Sequence, residues 1–210
     1  MREMRKEAGL THRQRQALQT RRLIVDAARE LFLERGYAVT TMEAIAGEAG
    51  VAVSTVYAIF KNKRAILREI RTAWHEQTHA REIHEEARKQ HNPERRLEML
   101  AHANRRQWEF GGTMVAIYQG AAAVDREAAA ELSEALRGRR AVMERFVEEM
   151  KDELCPDLNA GRAAAILRAL CQQEVYRELV EESGWSPDEY ETWLFEALKE
   201  QLLPPQTPDA

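Results

Sequence analysis

The fold is decided by residues 40–63, which read T-T-M-E-A-I-A-G-E-A-G-V-A-V-S-T-V-Y-A-I-F-K-N-K. Thr40 precedes Glu43 by three residues, and this T-x-x-E pattern predicts a capping box at the start of a short helix. Gly50 favours the left-handed backbone that ends such a helix. A second short helix is predicted from about residue 53 to 60. Two short helices joined by a tight turn are typical of the helix-turn-helix, a motif that lays its second helix in the major groove of DNA.

The rest of the chain is expected to be helical as well. Glycine and proline are scarce, with 10 and 6 residues in 210, whereas strong helix formers dominate. Ahead of the motif, Ile24, Ala27, Ala28 and Leu31 form an apolar stripe with helical spacing, and Gly36 ends it. The sequence therefore predicts an all-α protein, in which an N-terminal three-helix bundle contains the helix-turn-helix and a larger helical domain follows.

Turn and capping residues divide this larger domain into further helices. Asn62 is expected to cap a long fourth helix, and Ser186-Pro187-Asp188-Glu189 is a second capping box. Between them, helices are predicted over residues 93–110, 113–124, 126–154 and 160–182, and a last one over 187–203. The predicted organisation is a flexible basic arm (1–19) that is partly helical toward residues 16–19, a DNA-binding domain (20–68), a ligand-binding and dimerisation domain (69–203) and a tail (204–210).

Charge is distributed unevenly along the chain. The net charge of -4 would by itself disfavour a nucleic-acid partner. Residues 1–70, however, hold 13 basic and 8 acidic side chains, whereas residues 71–210 hold 18 basic and 27 acidic ones. A basic N-terminal part on an otherwise acidic chain is expected when only that part binds a polyanion. The seven arginines and lysines before residue 23 are compatible either with an arm along DNA or with a merely solvated tail.

The second short helix of the motif carries the candidate base-reading residues. Its exposed side is expected to present Val53, Ser54, Thr55, Tyr57 and Ala58. Hydroxyl groups at these positions can hydrogen-bond base edges or phosphates, and small apolar groups can contact a thymine methyl group. Further candidates are predicted at the starts of the flanking helices, where backbone N–H groups and side chains act together on a phosphate: Thr40, Thr41, Lys63 and Arg64.

A competing motif lies in the predicted fourth helix. Residues 75–79 read H-E-Q-T-H and match H-E-x-x-H, in which two histidines one turn apart hold zinc and the glutamate acts as a base. A working site needs a third ligand, and His84 follows at the wrong spacing. A solvated helix face is the expected outcome; an incidental metal on His75 and His79 is the alternative, and metalloprotease chemistry is disfavoured. We expect no enzyme activity, no catalytic residue, no cofactor and no metal.

At its N-terminal end the sequence resembles the TetR family of bacterial repressors. The resemblance runs through E-R-G-Y (34–37), T-T-M-E-A-I-A-G-E-A-G-V (40–51) and S-T-V-Y-A-I-F-K-N-K-R-A-I-L (54–67), and it covers residues 20–68. Residues 171–194 are also similar to the C-terminal end of many actinobacterial members. The chain departs from the family pattern at Ala52, where a Ser or Thr cap is usual, and at Ile59, where a phosphate-touching His or Tyr is common.

The resemblance implies a homodimer that binds a palindromic DNA operator and is released when a small-molecule effector moves the fourth helix. The last two long helices would form the dimer interface. The effector is expected to be largely apolar or aromatic and to enter among the middle helices. Its candidate contacts are aromatic, Met and amide side chains in otherwise apolar segments: Trp74, Trp108, Met114, Tyr118, Phe146, Gln172 and Tyr176. A helical interaction module without DNA is the remaining alternative.

Targeting signals are not apparent in the sequence. The first residues, M-R-E-M-R-K-E-A-G-L, contain no apolar signal core, and no apolar run approaches the roughly 20 residues of a membrane span. The two cysteines, Cys155 and Cys171, lack the spacing of a metal site and are compatible with a reducing compartment. The sequence therefore predicts a cytoplasmic protein with no membrane partner.

Overall fold

The computed structural model describes residues 11–205, and within this range the chain forms helices and no strand. The predicted all-α class is confirmed. The helices are α1 His12–Glu34, α2 Met42–Glu48, α3 Val53–Ile59, α4 Lys63–Thr78, α5 Ala80–Arg88, α6 Pro93–Glu109, α7 Gly112–Ala122, α8 Arg126–Glu148, α9 Ala160–Leu170, α10 Gln173–Tyr176 and α11 Pro187–Leu202. A 3₁₀ turn at Lys151–Glu153 follows α8, and a π-helical segment at Arg177–Glu182 continues α10. No single helix within residues 11–205 is both long and apolar enough to cross a membrane.

The chain divides into two compact units. Unit 1 contains the described residues up to Ala73 together with Thr113–Ala130, and unit 2 contains Trp74–Gly112 and the described residues from Glu131 onward. Helices α4 and α8 each contribute residues to both units. Unit 1 therefore includes, besides the predicted three-helix bundle, a segment from the middle of the sequence.

The core of unit 1 is built on the apolar stripe of α1. Ile24 and Ala28 are fully buried, and α1 packs against α2, which in turn packs against α3. Ile45 from α2 and Val56 from α3 have no exposed surface, and each contributes about 1.5–3 kcal/mol through burial. Gly50 ends the turn after α2 with φ +65°, a conformation that only glycine adopts at little cost. The predicted helix-turn-helix is thus present.

The first helix begins earlier than the sequence predicts. The Thr11 hydroxyl accepts from the backbone N–H of Gln14 and the Gln14 side chain accepts from the N–H of Thr11, which completes a capping box. The first helix, predicted from residue 20, thus begins at His12, and the helical part of the predicted arm extends over residues 12–19 instead of only toward residues 16–19; these residues are exposed. The predicted arm residues Arg2, Arg5 and Lys6 lie outside the described residues.

Unit 2 is organised around α6. This helix begins at Pro93 with Asn92 as N-cap, and it packs against α5 and α11. Its interior is mostly apolar, but the buried Asn104 amide donates to the hydroxyl oxygen of the buried Tyr190 over 2.7 Å. At the start of α11, the predicted capping box of Ser186 and Glu189 is confirmed. Unit 2 therefore packs α5 and α11 against α6 and holds a buried hydrogen-bonded pair, Asn104 and Tyr190, between α6 and α11.

Two long helices predicted in this region are shorter in the structure. The helix predicted over residues 126–154 ends at Glu148, and the one predicted over 160–182 ends at Leu170. The second break has a visible cause, because the carbonyl of Cys171 accepts from Trp108 Nε1 and from Arg139 Nη2. A carbonyl oxygen that accepts from two side chains does not accept the backbone hydrogen bond that would continue the helix.

Candidate nucleic-acid interface

Helix α3 presents a face to solvent. Ser54 and Ala58 are exposed, as are Val53 and Tyr57 with 38% and 47% of their surface, whereas Val56 points into the core. Thr55, the fifth predicted base-reading residue, is half-buried. Ala52 occupies the N-cap position without a side-chain hydrogen bond, so this short helix lacks the roughly 1 kcal/mol that a Ser or Thr cap supplies. The exposed face nevertheless combines a hydroxyl, a phenol and small apolar groups.

The start of α2 differs from the prediction by one residue. Thr41 is the N-cap, and its hydroxyl accepts from the N–H of Ala44 over 3.1 Å. Thr40 is buried, and its hydroxyl lies 2.8 Å from the carbonyl of Gly36 and 3.2 Å from that of Leu31. The predicted capping box on Thr40 is therefore wrong, and the Thr40 hydroxyl faces the end of α1 instead of the surface. Thr41 stays exposed.

Lys63 is engaged inside unit 1. Its ammonium donates to the carbonyls of Tyr37 and Ala38 over 2.6 Å and 3.2 Å, and it lies 4.6 Å from the centre of the Tyr37 ring. Partial burial lowers the pKa of this lysine, although the charge of Asp125 opposes the shift. Lys63, which the sequence predicts to contact a phosphate, thus holds the turn between α1 and α2 in the structure. Its N–H donors point at the carbonyls of that turn.

This role predicts an effect of Lys63 on stability. Replacing Lys63 with alanine is expected to lower the free energy of unfolding by about 1–2 kcal/mol, because two carbonyls lose a charged donor. Urea denaturation of the purified protein measures this loss. Lys61→Ala is the matched control, since Lys61 is exposed two residues earlier. Equal stability of the two variants would contradict the assigned role.

Arg64 is held by carboxylates. It forms ion pairs with Asp125 at 3.6 Å and with Glu127 at 2.7 Å, and about a quarter of its side chain (23%) stays exposed. Asp125 caps the start of α8 by accepting from the N–H groups of Ala128 and Glu127. These backbone donors, led by that of Ala128, and the Arg64 charge hold the pKa of Asp125 below its usual range. Arg64 therefore joins the beginnings of α4 and α8.

A cleft of about 440 Å³ collects several of these side chains in unit 1. It is lined by Tyr37, Met42, Tyr57, Lys61, Asn62, Lys63, Arg64 and Asp125. The structure thereby brings together three of the predicted residues, Tyr57, Lys63 and Arg64. The sequence prediction missed Lys61, which is exposed beside them, although the basic run K-N-K-R at 61–64 was a usable signal.

The predicted effector contacts are divided between the two units. Met114 and Tyr118 are buried in unit 1, where Arg71 lies 5.5 Å from the Tyr118 ring centre. The other five belong to unit 2: Trp74, Trp108, Phe146, Gln172 and Tyr176.

Within unit 2 these five side chains have different surroundings. Trp108 is buried below Arg139, and Phe146 is buried below Arg96. Tyr176 is packed edge-on against Tyr190, with ring centres 4.9 Å apart. Trp74 is half-buried and Gln172 is exposed. The aromatic groups thus form the interior of unit 2, and Gln172 lies at its surface.

The histidine-containing motif does not lie on one helix. Helix α4 ends at Thr78, and His79 has a left-handed backbone with φ +51°. Arg106 stabilises this end by donating to the carbonyls of Gln77 and Thr78, each over 2.9 Å. His75 and His79 therefore lack the continuous helical turn that the zinc signature requires. Within residues 11–205, no group of three or more His, Cys, Asp or Glu side chains is placed to hold a metal ion.

His84, which follows this motif, is expected to make unit 2 sensitive to acid. Burial and the nearby charge of Arg139 lower its pKa from 6.5 to about 4. The folded protein therefore keeps His84 neutral while the unfolded chain takes up a proton, so stability present above pH 6.5 is lost as the pH falls toward 4. His84→Gln is expected to flatten this loss in urea titrations at several pH values. The exposed His91, changed to Gln, should leave the wild-type profile unaltered.

Together, the buried α2–α3 packing and the exposed face of α3 define a helix-turn-helix DNA-binding domain of the kind found in transcriptional regulators. A family model described as "Bacterial regulatory proteins, tetR family" matches residues 24–70. This N-terminal part of the chain is therefore similar to the TetR family of transcriptional regulators.

Known relatives agree with this assignment. A curated HTH-type transcriptional regulator of Bacillus subtilis, YhgD, is 39% identical over 56 residues, which are 27% of this chain and 29% of that protein. The match therefore spans less than a third of the curated relative.

Solved structures extend the similarity of fold to most of the chain. NalD, the secondary repressor of a multidrug efflux pump in Pseudomonas aeruginosa, superposes with a TM-score of 0.66 and 24% identity, over 90% of this chain and 98% of NalD. FadR of Bacillus subtilis, solved with stearoyl-CoA, gives a TM-score of 0.62 at 20% identity, over 84% of this chain and 96% of FadR. At these identities the likeness concerns the fold.

Proposed function

We propose that this regulator is a repressor rather than an enzyme, and that it binds a palindromic DNA operator as a homodimer and leaves it when a small-molecule effector binds. The exposed face of α3 on a packed helix-turn-helix is the observation that carries the proposal. Ser54, Tyr57 and Ala58 are the proposed base-reading residues, with Val53 and Thr55 at the edges of the face. A helix of this size fits the major groove, and hydroxyl and methyl groups are suited to reading base edges there.

Phosphate contacts are proposed on both sides of α3. Thr41 is exposed at the start of α2, and Lys61 is exposed at the end of α3. Lys63 and Arg64 add positive charge to the same cleft while they hold neighbouring parts of unit 1. Such contacts position a protein on DNA without reading its sequence. Thr40 has no place in this interface because its hydroxyl is buried.

Dimerisation is proposed through α9 and α11, because a palindrome is read by a two-fold pair. Leu194 and Leu198 of α11 are buried within unit 2. Ile166, Leu170 and Trp193 remain half-buried, so they offer apolar surface to a second copy. Burial of such surface is the main driving force of association.

The effector is proposed to enter the interior of unit 2, close to Trp108, Phe146 and Tyr176. FadR of Bacillus subtilis was solved with stearoyl-CoA, and we propose a largely apolar or aromatic effector for this chain as well. A hundredfold loss of DNA affinity requires the effector to favour the released state by about 2.8 kcal/mol. Helix α4 has residues in both units and is the proposed route of this coupling.

Selection of bound sequences from random double-stranded DNA tests the proposal. We expect a palindromic consensus, and we expect the selected site to bind two chains. If about eight phosphates are neutralised, the logarithm of the affinity should fall with the logarithm of salt concentration at a slope near about -7. No enrichment of any sequence, or a slope near zero, would refute DNA binding.

A further inference from the structure

Arg139 is a largely buried cation in unit 2. Its Nη2 donates to the carbonyl of Cys171, and its guanidinium lies 4.7 Å from the centre of the Trp108 ring. Its Nε is buried and has no hydrogen-bond acceptor. Burial lowers the pKa of this arginine, which means that the surroundings do not compensate the charge fully. An uncompensated buried cation is costly for a folded protein.

The other arginines with the same orphaned Nε have carboxylate partners. Arg64 pairs with Asp125 and Glu127, and Arg96 lies 3.7 Å from Glu149. Arg105 lies 2.9 Å from Asp188. Arg139 has no carboxylate within 4.0 Å among residues 11–205, although the charge of Glu174 acts on it from farther away. Among these four arginines, Arg139 is therefore the one without a carboxylate partner among residues 11–205.

The neighbours of Arg139 have the composition of a ligand site. His84 is near enough for the Arg139 charge to contribute, after burial, to lowering its pKa to about 4, so this region also contains a neutral imidazole with one N–H donor. Trp108 supplies an aromatic wall, and its Nε1 is already used by Cys171. The break between α9 and α10 lies at Cys171, and Gln172, the next residue, is exposed. Through its hydrogen bond to Cys171, the guanidinium therefore lies near an exposed residue of unit 2.

We propose that Arg139 binds the carboxylate of the effector, which is an organic monoacid with an apolar or aromatic body. The proposal rests on the proposed effector-release function. A guanidinium presents a planar fork of N–H donors that matches a carboxylate. One guanidinium and one neutral imidazole balance a single negative charge, whereas a phosphate dianion would leave a charge uncompensated. The body of the acid would lie along Trp108 toward the interior of unit 2.

Matched acids and amides test this head-group site. Octanoate and naphthoate are titrated against the full chain by calorimetry, beside octanamide and naphthamide, which keep the body and lose the charge. The acids are expected to bind, and the amides are expected to bind at least about 30-fold more weakly, as for the loss of a charged hydrogen bond. Equal affinity of acid and amide, or no binding of either acid, overturns the proposal.

Substitution of Arg139 assigns the site. Arg139→Met is expected to weaken acid binding at least about 30-fold. Arg140→Met is the matched control, since Arg140 is exposed on the same helix, and it should bind the acids as wild type does.

Arg139→Lys keeps the positive charge but lacks the planar pair of N–H donors of the guanidinium. It tests the site should the methionine variant fail to fold, and its acid affinity should fall about tenfold. Wild-type acid affinity in the Met variant, or in the Lys variant in its place, overturns the proposal.

Failure of this proposal differs from failure of the proposed function. Operator binding without ligand does not depend on Arg139, so Arg139→Met should bind the selected DNA as wild type does. A chain that binds its operator but treats acids and amides alike remains a DNA-binding regulator with another effector class. A chain that selects no DNA loses the proposed function, while the calorimetric comparison still decides whether Arg139 binds a carboxylate.

Discussion

Replacing Ala58 with glutamate is expected to weaken operator binding at least about a hundredfold, which corresponds to about 2.8 kcal/mol. Ala58 is exposed on the face of α3 that we propose enters the major groove. A carboxylate there faces the phosphates of both strands and displaces a small group from the base edges, and like charges brought together cost several kcal/mol. Fluorescence anisotropy with the selected operator at about 150 mM salt measures the change.

The control for this prediction is the same substitution elsewhere. Ala135 is exposed on α8, in unit 2, and Ala135→Glu adds the same charge to the chain. Both variants should keep the wild-type melting temperature, because both side chains are solvated. If Ala58→Glu bound the operator as tightly as Ala135→Glu, α3 would not be the reading helix.

Replacing Arg96 with alanine is expected to cost unit 2 about 3 kcal/mol of stability, in the range known for the loss of one partner from a buried ion pair. Arg96 is 5% exposed. Its guanidinium donates to the carbonyls of Glu149 and Phe146 over 3.1 Å and 3.5 Å, at the end of α8, and lies 5.2 Å from the Phe146 ring centre. Its loss leaves helix-terminal carbonyls without donors.

Thermal denaturation measures this effect, and about 3 kcal/mol corresponds to a fall in melting temperature of about 6–12 °C for a chain of this size. Arg95→Ala is the matched control. Arg95 is exposed on the same helix and forms a surface ion pair with Glu98, three residues away, so its removal should change stability by less than about 0.5 kcal/mol. Similar losses for the two neighbours would show that the buried position of Arg96 is unimportant.

The helix-turn-helix could be predicted from the sequence because its signals are local. The stripe of α1, the glycine after α2 and the capping box before α11 each act within a few residues. The offset at Thr40 illustrates the limit of such signals. Either of two adjacent threonines can serve as N-cap, and the choice depends on the carbonyls of Leu31 and Gly36, which lie elsewhere in the chain.

The side-chain roles in the candidate site were harder to predict for the same reason. The basic run at residues 61–64 predicts a phosphate contact for Lys63. Its position beside the Tyr37 carbonyl depends instead on the path of the chain after α1, which the residues around Lys63 do not indicate. The break at Cys171 depends on donors from α6 and α8, far away in sequence. Similarly, nothing in residues 113–130 indicates that they join unit 1, because an apolar helix packs equally well on several partners.

The long α1 has one further consequence. Its first two turns, residues 12–19, are exposed, so they are held by helix propensity and by the Thr11 cap instead of by packing. Such turns open locally with a free energy near zero, whereas Ile24 and Leu31 lie in the core. Amide protons in the first turns should therefore exchange with deuterium long before those near Ala28. The first turns of α1 are therefore expected to fray and re-form while the rest of the helix stays packed in the core of unit 1.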